Sequence, residues 1–327
     1  MRRLGWSGAG LGCVTPGGAC KIGMRAMSMT KKLEGLARKG LPPAGARLAK
    51  RLAVGPRYRA QLATARKGYR AFGDRYPRPV LFIAGLPKSG TTWLEKMVQA
   101  WEGYHEVLIP EVAAHEMATG GSHDFDLPRG MFDRFGDALV LTKMHVHGSP
   151  NNISVLHEAD VPYVVLFRDL RDVAVSHYFY VRNTPWHPEY PVYAGLDVEG
   201  GLCAFAERTL GPFRDWVTSW QTNRDPSRSL VIRYEEMLAD GVGTLSEVAR
   251  LFELGGGEEQ VREVVEAHSF ERMSGGRGKG QEDAGQFVRK GTSGDWRNHF
   301  TDRVREMFKH EIGAFLIEHG YEADDAW

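Results

Sequence analysis

Between Gly85 and Thr92 the chain reads Gly85-Leu86-Pro87-Lys88-Ser89-Gly90-Thr91-Thr92, two glycines enclosing one cation with three hydroxyls beside it. An apolar run, Val80 to Ala84, precedes it, and Trp93, Met97 and Val98 follow at the spacing of one helix face. Strand, small-residue turn and helix start together make an anion site. The first helix amides lack intrahelical partners, the helix dipole favours negative charge, and glycine lets backbone approach a phosphate. A nucleoside-triphosphate loop requires G-x-x-x-x-G-K-[ST]. Here Thr91 occupies the lysine position and the lysine, Lys88, lies on the turn, where it reaches the end of a short phosphate chain. An ordinary glycine-rich strand-to-helix turn is the structural alternative.

Three further stretches carry charge or a titratable ring where elements meet. Lys143-Met144-His145 ends an apolar run. Arg168-Asp169-Leu170-Arg171-Asp172-Val173-Ala174-Val175-Ser176 follows another. Arg289-Lys290-Gly291-Thr292-Ser293-Gly294-Asp295-Trp296 lies near the C-terminus. Each has a bland reading: a satisfied histidine at a strand end, a helix-start salt bridge with a cap, a solvated pair of cations. His147 is the rival of His145. The His and Glu residues at 105–116 have no metal-ligand spacing, so a solvated or substrate-contacting role is expected.

These stretches need a frame. Val80 to Ala84, Ala138 to Thr142, Pro162 to Phe167 and Ser229 to Arg233 read as buried strands. Helices are expected at Asn151 to Glu158, near 200–222 and 241–254, from Glu258 to Ala267 and from Asp302 to Glu318, the last closed by Gly320. Alternating βα units imply an α/β fold: a P-loop-like, doubly wound parallel sheet with helices on both faces. Residues 99–138 read as irregular loops at the carboxyl end of the sheet. Ser274 to Gly280 reads as a mobile loop or lid.

The four charged stretches, in this order, resemble the sulfotransferases that use 3′-phosphoadenosine 5′-phosphosulfate (PAPS), most closely the soluble small-molecule branch. The likeness runs from about Val80 to the C-terminus. Pro87 to Trp93 resembles the 5′-phosphosulfate loop. Lys143-Met144-His145 stands for the family's K-T-H. Arg168 to Ser176 matches R-N-x-x-D-V-x-V-S with Asp169 in place of Asn. Arg289 to Trp296 is close to R-K-G-x-x-G-D-W. The resemblance implies that Lys88, Ser89, Gly90, Thr91 and Thr92 hold the 5′ end of PAPS, while Arg168, Ser176, Arg289, Lys290 and Gly291 hold the 3′-phosphate. It implies that Trp93 and Phe270 sandwich adenine with Tyr234 nearby, and that His268 stands where many relatives have Thr. His145 is then the general base, with Lys88 and Lys143 neutralising the leaving oxygen, and no metal enters the scheme. The acceptor is expected to be a hydroxyl, or an amine, of a small molecule. Tyr178, Phe179, Tyr180, Trp186, Tyr190 and Tyr193 are partly core and partly the wall of an apolar acceptor pocket. The alternatives are a glycan sulfotransferase with a Glu base, Glu111 being the candidate, a non-catalytic nucleotide- or phosphate-binding module, and a small-molecule kinase.

Composition agrees with a globular enzyme: 327 residues, 42% hydrophobic and 25% charged. No apolar run reaches membrane-spanning length. Cys13, Cys20 and Cys203 form neither a metal spacing nor a disulfide framework, so a reducing, cytoplasmic setting is expected. Net charge is +1, yet residues 1–79 hold 18 basic residues against two acids and the remainder 24 against 39. The reading is therefore a disordered or spurious leader over 1–30, with Met24, Met27 and Met29 as alternative starts. A basic helical arm over 31–78 and a sulfotransferase domain over 79–327 follow. Leu33, Leu36, Leu48, Leu52, Leu62 and Tyr69 are the arm's candidate anchors, and Pro42-Pro43 and Gly55-Pro56 are expected to break it into short helices. The arm is expected to pack on the acidic body or stay solvated, ahead of contact with an anionic membrane surface. Nucleic acid is not an expected partner, and the oligomeric state is left open.

Overall fold

The computed structural model describes residues 42–286 and 288–327. The expected leader, Leu33 and Leu36 lie outside the described residues, as do Cys13 and Cys20.

The centre is a five-stranded sheet in the order β2-β3-β1-β4-β5, parallel throughout. Its strands are β1 (Val80–Gly85), β2 (His105–Glu106), β3 (Val140–Met144), β4 (Tyr163–Phe167) and β5 (Ser229–Arg233). Both faces are covered. Val80, Phe82 and Ala84 of β1 enter one core cluster, and Leu81 and Ile83 enter the other. Strand side chains alternate between faces, so a continuous apolar run must be buried on both. Each fully buried large side chain contributes roughly 1.5–3 kcal/mol from burial.

β1, β3 and β4 lie together at the middle of the sheet, and each runs directly into one of the charged stretches. The helices that matter to those stretches are α1 (Pro43–Phe72), α2 (Thr91–Val98), α3 (Pro110–Ala118) and α4 (Leu170–Arg182). No helix among the described residues is long and apolar enough to cross a membrane.

Two local expectations are corrected. The arm is one helix, α1, which runs through Pro56. Proline removes one internal hydrogen bond, and tertiary contacts offset that loss. Leu62 and Ala65 enter the core, Arg57 pairs with Glu106 at 2.8 Å, and the Gln61 side chain accepts from the Leu108 amide at 3.1 Å. Gly68 lies so close to Gly103 that a Cβ there would fall 1.9 Å from its carbonyl oxygen. Leu48 and Leu52, by contrast, are exposed. Residues 99–138 are not wholly irregular, since they hold β2, α3 and a 3₁₀ turn at Met131–Phe135. The segment after Ser274, expected as a mobile loop or lid, is irregular and is tied back by one side chain. The Arg277 guanidinium donates to the carbonyls of Arg289 at 2.8 Å and Gln281 at 3.0 Å, and to that of Val288.

Candidate active site

The turn after β1 is shaped by close approaches. Gly85 packs on Thr91, whose Cγ2 would lie 1.9 Å from any Cβ at Gly85. Gly90 caps α2 at φ +84°, and a Cβ there would meet the Tyr234 ring at 2.7 Å. Lys88 takes φ +67°, a left-handed conformation that costs a lysine free energy and is held by its surroundings. Its ammonium lies 3.9 Å from the centre of the Tyr180 ring. Burial, then the charges of Arg168, Arg289 and Lys143, push Lys88 down to about 7. Three other cations from distant parts of the chain therefore act on this one group.

Strand β3 delivers Lys143 and His145. Lys143 bonds Glu95 at 2.7 Å and reaches the Thr92 hydroxyl at 3.3 Å. Glu95 is buried on α2, and its fixing of Lys143 is a role the sequence reading did not assign. The Nδ1 of His145 sits 2.5 Å from the Gly85 carbonyl. A carbonyl only accepts, so Nδ1 carries the proton and Nε2 is left with its lone pair. Burial drives the ring down to about 4, with Glu116 opposing and His123 assisting, so it is neutral near pH 7. His147 instead faces Asp126 at 3.2 Å.

Strand β4 feeds Arg168 and α4. The Arg168 guanidinium bonds Asp172 at 3.0 Å and the Thr292 carbonyl at 2.8 Å, and lies 4.3 Å from the centre of the Tyr234 ring. Asp172 also accepts from the amides of Gly294 at 2.7 Å and Trp296 at 3.0 Å. One buried carboxylate thus ties the start of α4 to the C-terminal stretch. Asp169, at the position where the family pattern has Asn, caps α4 by accepting from the Arg171 amide at 2.9 Å and pairs with the Arg171 side chain at 2.7 Å. Arg171 continues to Glu322 at 2.5 Å and lies 4.0 Å and 4.5 Å from the ring centres of Trp296 and Trp327.

In the C-terminal stretch Asp295 pairs with Arg289 and Lys290, each at 2.5 Å; burial pushes its carboxyl up, but His299 at 3.3 Å, then Lys290, Asn298 and Arg289, together hold it far below the usual range. Arg289 also bonds Glu282 at 2.6 Å. Gly291 takes φ +68° under the Phe270 ring, which a Cβ would meet at 2.1 Å. Trp93 donates its indole N–H to the His268 carbonyl at 2.9 Å, so His268 enters through its backbone.

A cavity of about 650 Å³ joins these pieces. Lys88, Gly90, Thr91, Thr92, Trp93, Lys143, His145, Arg168, Ser176, Tyr234, Phe270, Arg289, Lys290 and Gly291 all line it. Ser89 is buried and lies outside that lining, and its hydroxyl has no hydrogen-bond partner among the described residues. The Arg168 Nε and the Thr292 hydroxyl are likewise buried without one. Orphaned donors beside a cationic cavity are what a ligand with several anionic oxygens would satisfy. Glu111 is not in the lining; it pairs with Arg134 at 2.6 Å. Of the six aromatics expected to bound an acceptor pocket only Tyr180 lines the cavity, while Tyr178 and Tyr193 are fully buried in the core. Beside Met117 and Pro188, that side carries five polar residues: Glu116, His123, His177, His187 and Glu189. Glu116 is among the His and Glu residues at 105–116 for which a solvated or substrate-contacting role was expected; the other four carried no signal in the chain, because they sit in a loop, in α4 and in a later segment.

The family model for the sulfotransferase domain matches residues 78–316. The chain belongs to the sulfotransferase family, and it is a PAPS-dependent sulfotransferase. Its relatives include rat sulfotransferase 1 family member D1, 26% identical over 254 residues that cover 71% of this chain and 81% of the relative. Human sulfotransferase 1E1 is also 26% identical, over 248 residues covering 70% and 80%. Among solved structures, mouse sulfotransferase SULT7A1, crystallised with PAP, has a similar fold at a TM-score of 0.50 and 20% identity, covering 79% of this chain and 95% of that one.

Proposed function

We propose that this sulfotransferase acts on a hydroxyl of a small molecule, with His145 as the general base. The observation that carries the reading is the bond from His145 Nδ1–H to the Gly85 carbonyl, which leaves Nε2 as acceptor in the cavity that Lys88 also lines. PAPS supplies the sulfuryl group: in line, the acceptor oxygen bonds to sulfur as the bond from sulfur to the 5′-phosphate oxygen breaks. The acceptor's proton passes to Nε2 of His145.

Lys88, Thr91, Thr92, the buried Ser89 and the turn amides around Gly90 are assigned to the 5′ end of the donor, and Arg168, Ser176, Arg289, Lys290 and Gly291 to its 3′-phosphate. Trp93, Phe270 and Tyr234 are assigned to adenine. Lys88, and Lys143 steadied by Glu95, would meet the charge growing on the departing phosphate oxygen. Sulfuryl transfer asks the protein mainly for placement and charge stabilisation, which fixed cations and amides supply. A cavity of about 650 Å³ suits a small-molecule acceptor beside the donor. A Glu base at position 111 has no support, because that carboxylate lies outside the cavity and is paired.

The test is His145→Ala. Turnover should fall by ~10²–10⁴-fold, while the thermal shift produced by adenosine 3′,5′-bisphosphate is retained. Full turnover in that variant would reject the assigned base.

A further inference from the structure

The acceptor side of the cavity differs in character from the donor side. The donor side is built from cations. The other wall is built from Glu116 and Met117 at the end of α3, Gly121 and His123 just after it, His177 and Tyr180 of α4, and the His187-Pro188-Glu189 segment. Glu189 Oε2 lies 3.0 Å from His177 Nε2 and 3.9 Å from His187 Nδ1. Glu116 Oε1 lies 3.7 Å from His123 Nδ1, and the His123 ring centre is 5.5 Å from that of His145. The two carboxylates belong to one patch: Gly121 sits against Glu189, whose Oε2 would lie 3.4 Å from a Cβ there.

Two features show that this patch is incomplete as it stands. His177 is only 3% exposed, yet its Nε2 is not aligned for a hydrogen bond with any described group, despite its closeness to Glu189. His123 Nδ1 is likewise buried without a bond. The wall also carries two carboxylates; Lys50 of α1 lines the cavity there, and Lys88 lies 3.9 Å from the centre of the Tyr180 ring. Burial pushes the Glu189 carboxyl up, but His177 first, and then His187 and His123, hold it below the usual range, while burial keeps the His187 ring neutral. A flat apolar acceptor would bury these groups with nothing to bond, at a free-energy cost for each. A ligand bringing N–H donors and positive charge would complete them.

We propose that the acceptor is a hydroxyl compound carrying a basic amine, whose ammonium group is received by Glu189 and Glu116 on the polar wall beside His145. The inference rests on the reading of this cavity as the place of transfer and names the acceptor class for it. Such a site rejects analogues that lack the nitrogen, because its own buried groups are then left unmatched.

Matched pairs test it. Transfer from labelled PAPS is measured for tyramine against 4-ethylphenol, and for 3-aminopropanol against 1-butanol. At least one amine should exceed its neutral partner in kcat/KM by about tenfold or more. Glu189→Gln and Glu116→Gln should each reduce that ratio about tenfold, mainly through KM of the amine. Both variants should keep the thermal shift with adenosine 3′,5′-bisphosphate, which shows that they fold and that the donor site stands. Equal or better use of the neutral partners overturns the proposal. So does preferred transfer to a neutral polyol such as inositol, transfer to no amine at all, or an unchanged ratio in both folded variants. Loss of the bisphosphate shift in the unmodified protein would instead reject the donor site itself.

Discussion

Lys88 is the residue on which the proposed chemistry is most sensitive to pH. In the ligand-free protein, burial and three neighbouring cations hold it at about 7. A bound anion restores its affinity for a proton, so binding adenosine 3′,5′-bisphosphate near pH 8 should take up a proton. Affinity should therefore fall as pH rises above about 7, the direction required when the complex binds more protons than the free protein. Calorimetry in two buffers of different ionisation enthalpy reads this directly, and Lys88→Gln should remove the buffer dependence. Identical heats in both buffers for the unmodified protein would sink the assignment of Lys88 to the donor phosphate. His145 moves the opposite limb. Its ring, at about 4, stays neutral well below the ordinary ~6.5 of imidazole, so its acid limb in kcat/KM belongs near pH 4.

Elements set how closely the chain may approach the ligand. Gly291 is the clearest case, combining a positive φ with the Phe270 ring at the place of a Cβ. Gly291→Ala should push Phe270 out of position and weaken bisphosphate binding about tenfold, at a backbone cost of order 1–3 kcal/mol. An unaltered dissociation constant would count against Phe270 and Gly291 as parts of the donor site. Much of this level was legible in the chain. β1, the turn and α2 are contiguous, and their apolar run, glycines and helical spacing are local signals. The same holds for β4 and α4. What stayed hidden depends on contacts between distant residues. β2 is two residues long and exists because His105 and Glu106 align with Val140 and Leu141. α1 survives Pro56 because Leu62 and Ala65 are buried by the body. Glu95 declared nothing until Lys143 was brought against it. The wall of Glu116, His123, His177 and Glu189 has no spacing to recognise, since α3, α4 and two loops each contribute a part.

At the scale of the whole molecule, the charge asymmetry is a means of attachment. Arg57 reaches Glu106, Arg75 reaches Glu102, and Arg78 reaches both Asp160 and Glu253. Exposed pairs of this kind contribute little each, and the apolar contacts of Leu62 and Ala65 bear the docking of α1. The opposite end is anchored differently, with Arg171 close to the faces of both Trp296 and Trp327. Trp327→Ala should lower stability by ~1–2 kcal/mol through lost packing and cation–π contact. It should also raise KM for PAPS more than it changes kcat, because Trp296 adjoins Asp295, which holds Arg289 and Lys290. A fall in melting temperature with KM untouched would confine the contact to stability.

That grip of Asp295 on Arg289 and Lys290 bears on competition among anions. Neither cation stands bare: if the proposed assignment of both to the 3′-phosphate holds, that phosphate would displace or share a carboxylate that already sits 2.5 Å away. Orthophosphate, or one end of an abundant triphosphate, gains little from such an exchange. A molecule moored at the same moment by the turn after β1 gains at both ends, so selectivity among crowded metabolites would come from simultaneous anchorage rather than from sheer positive charge.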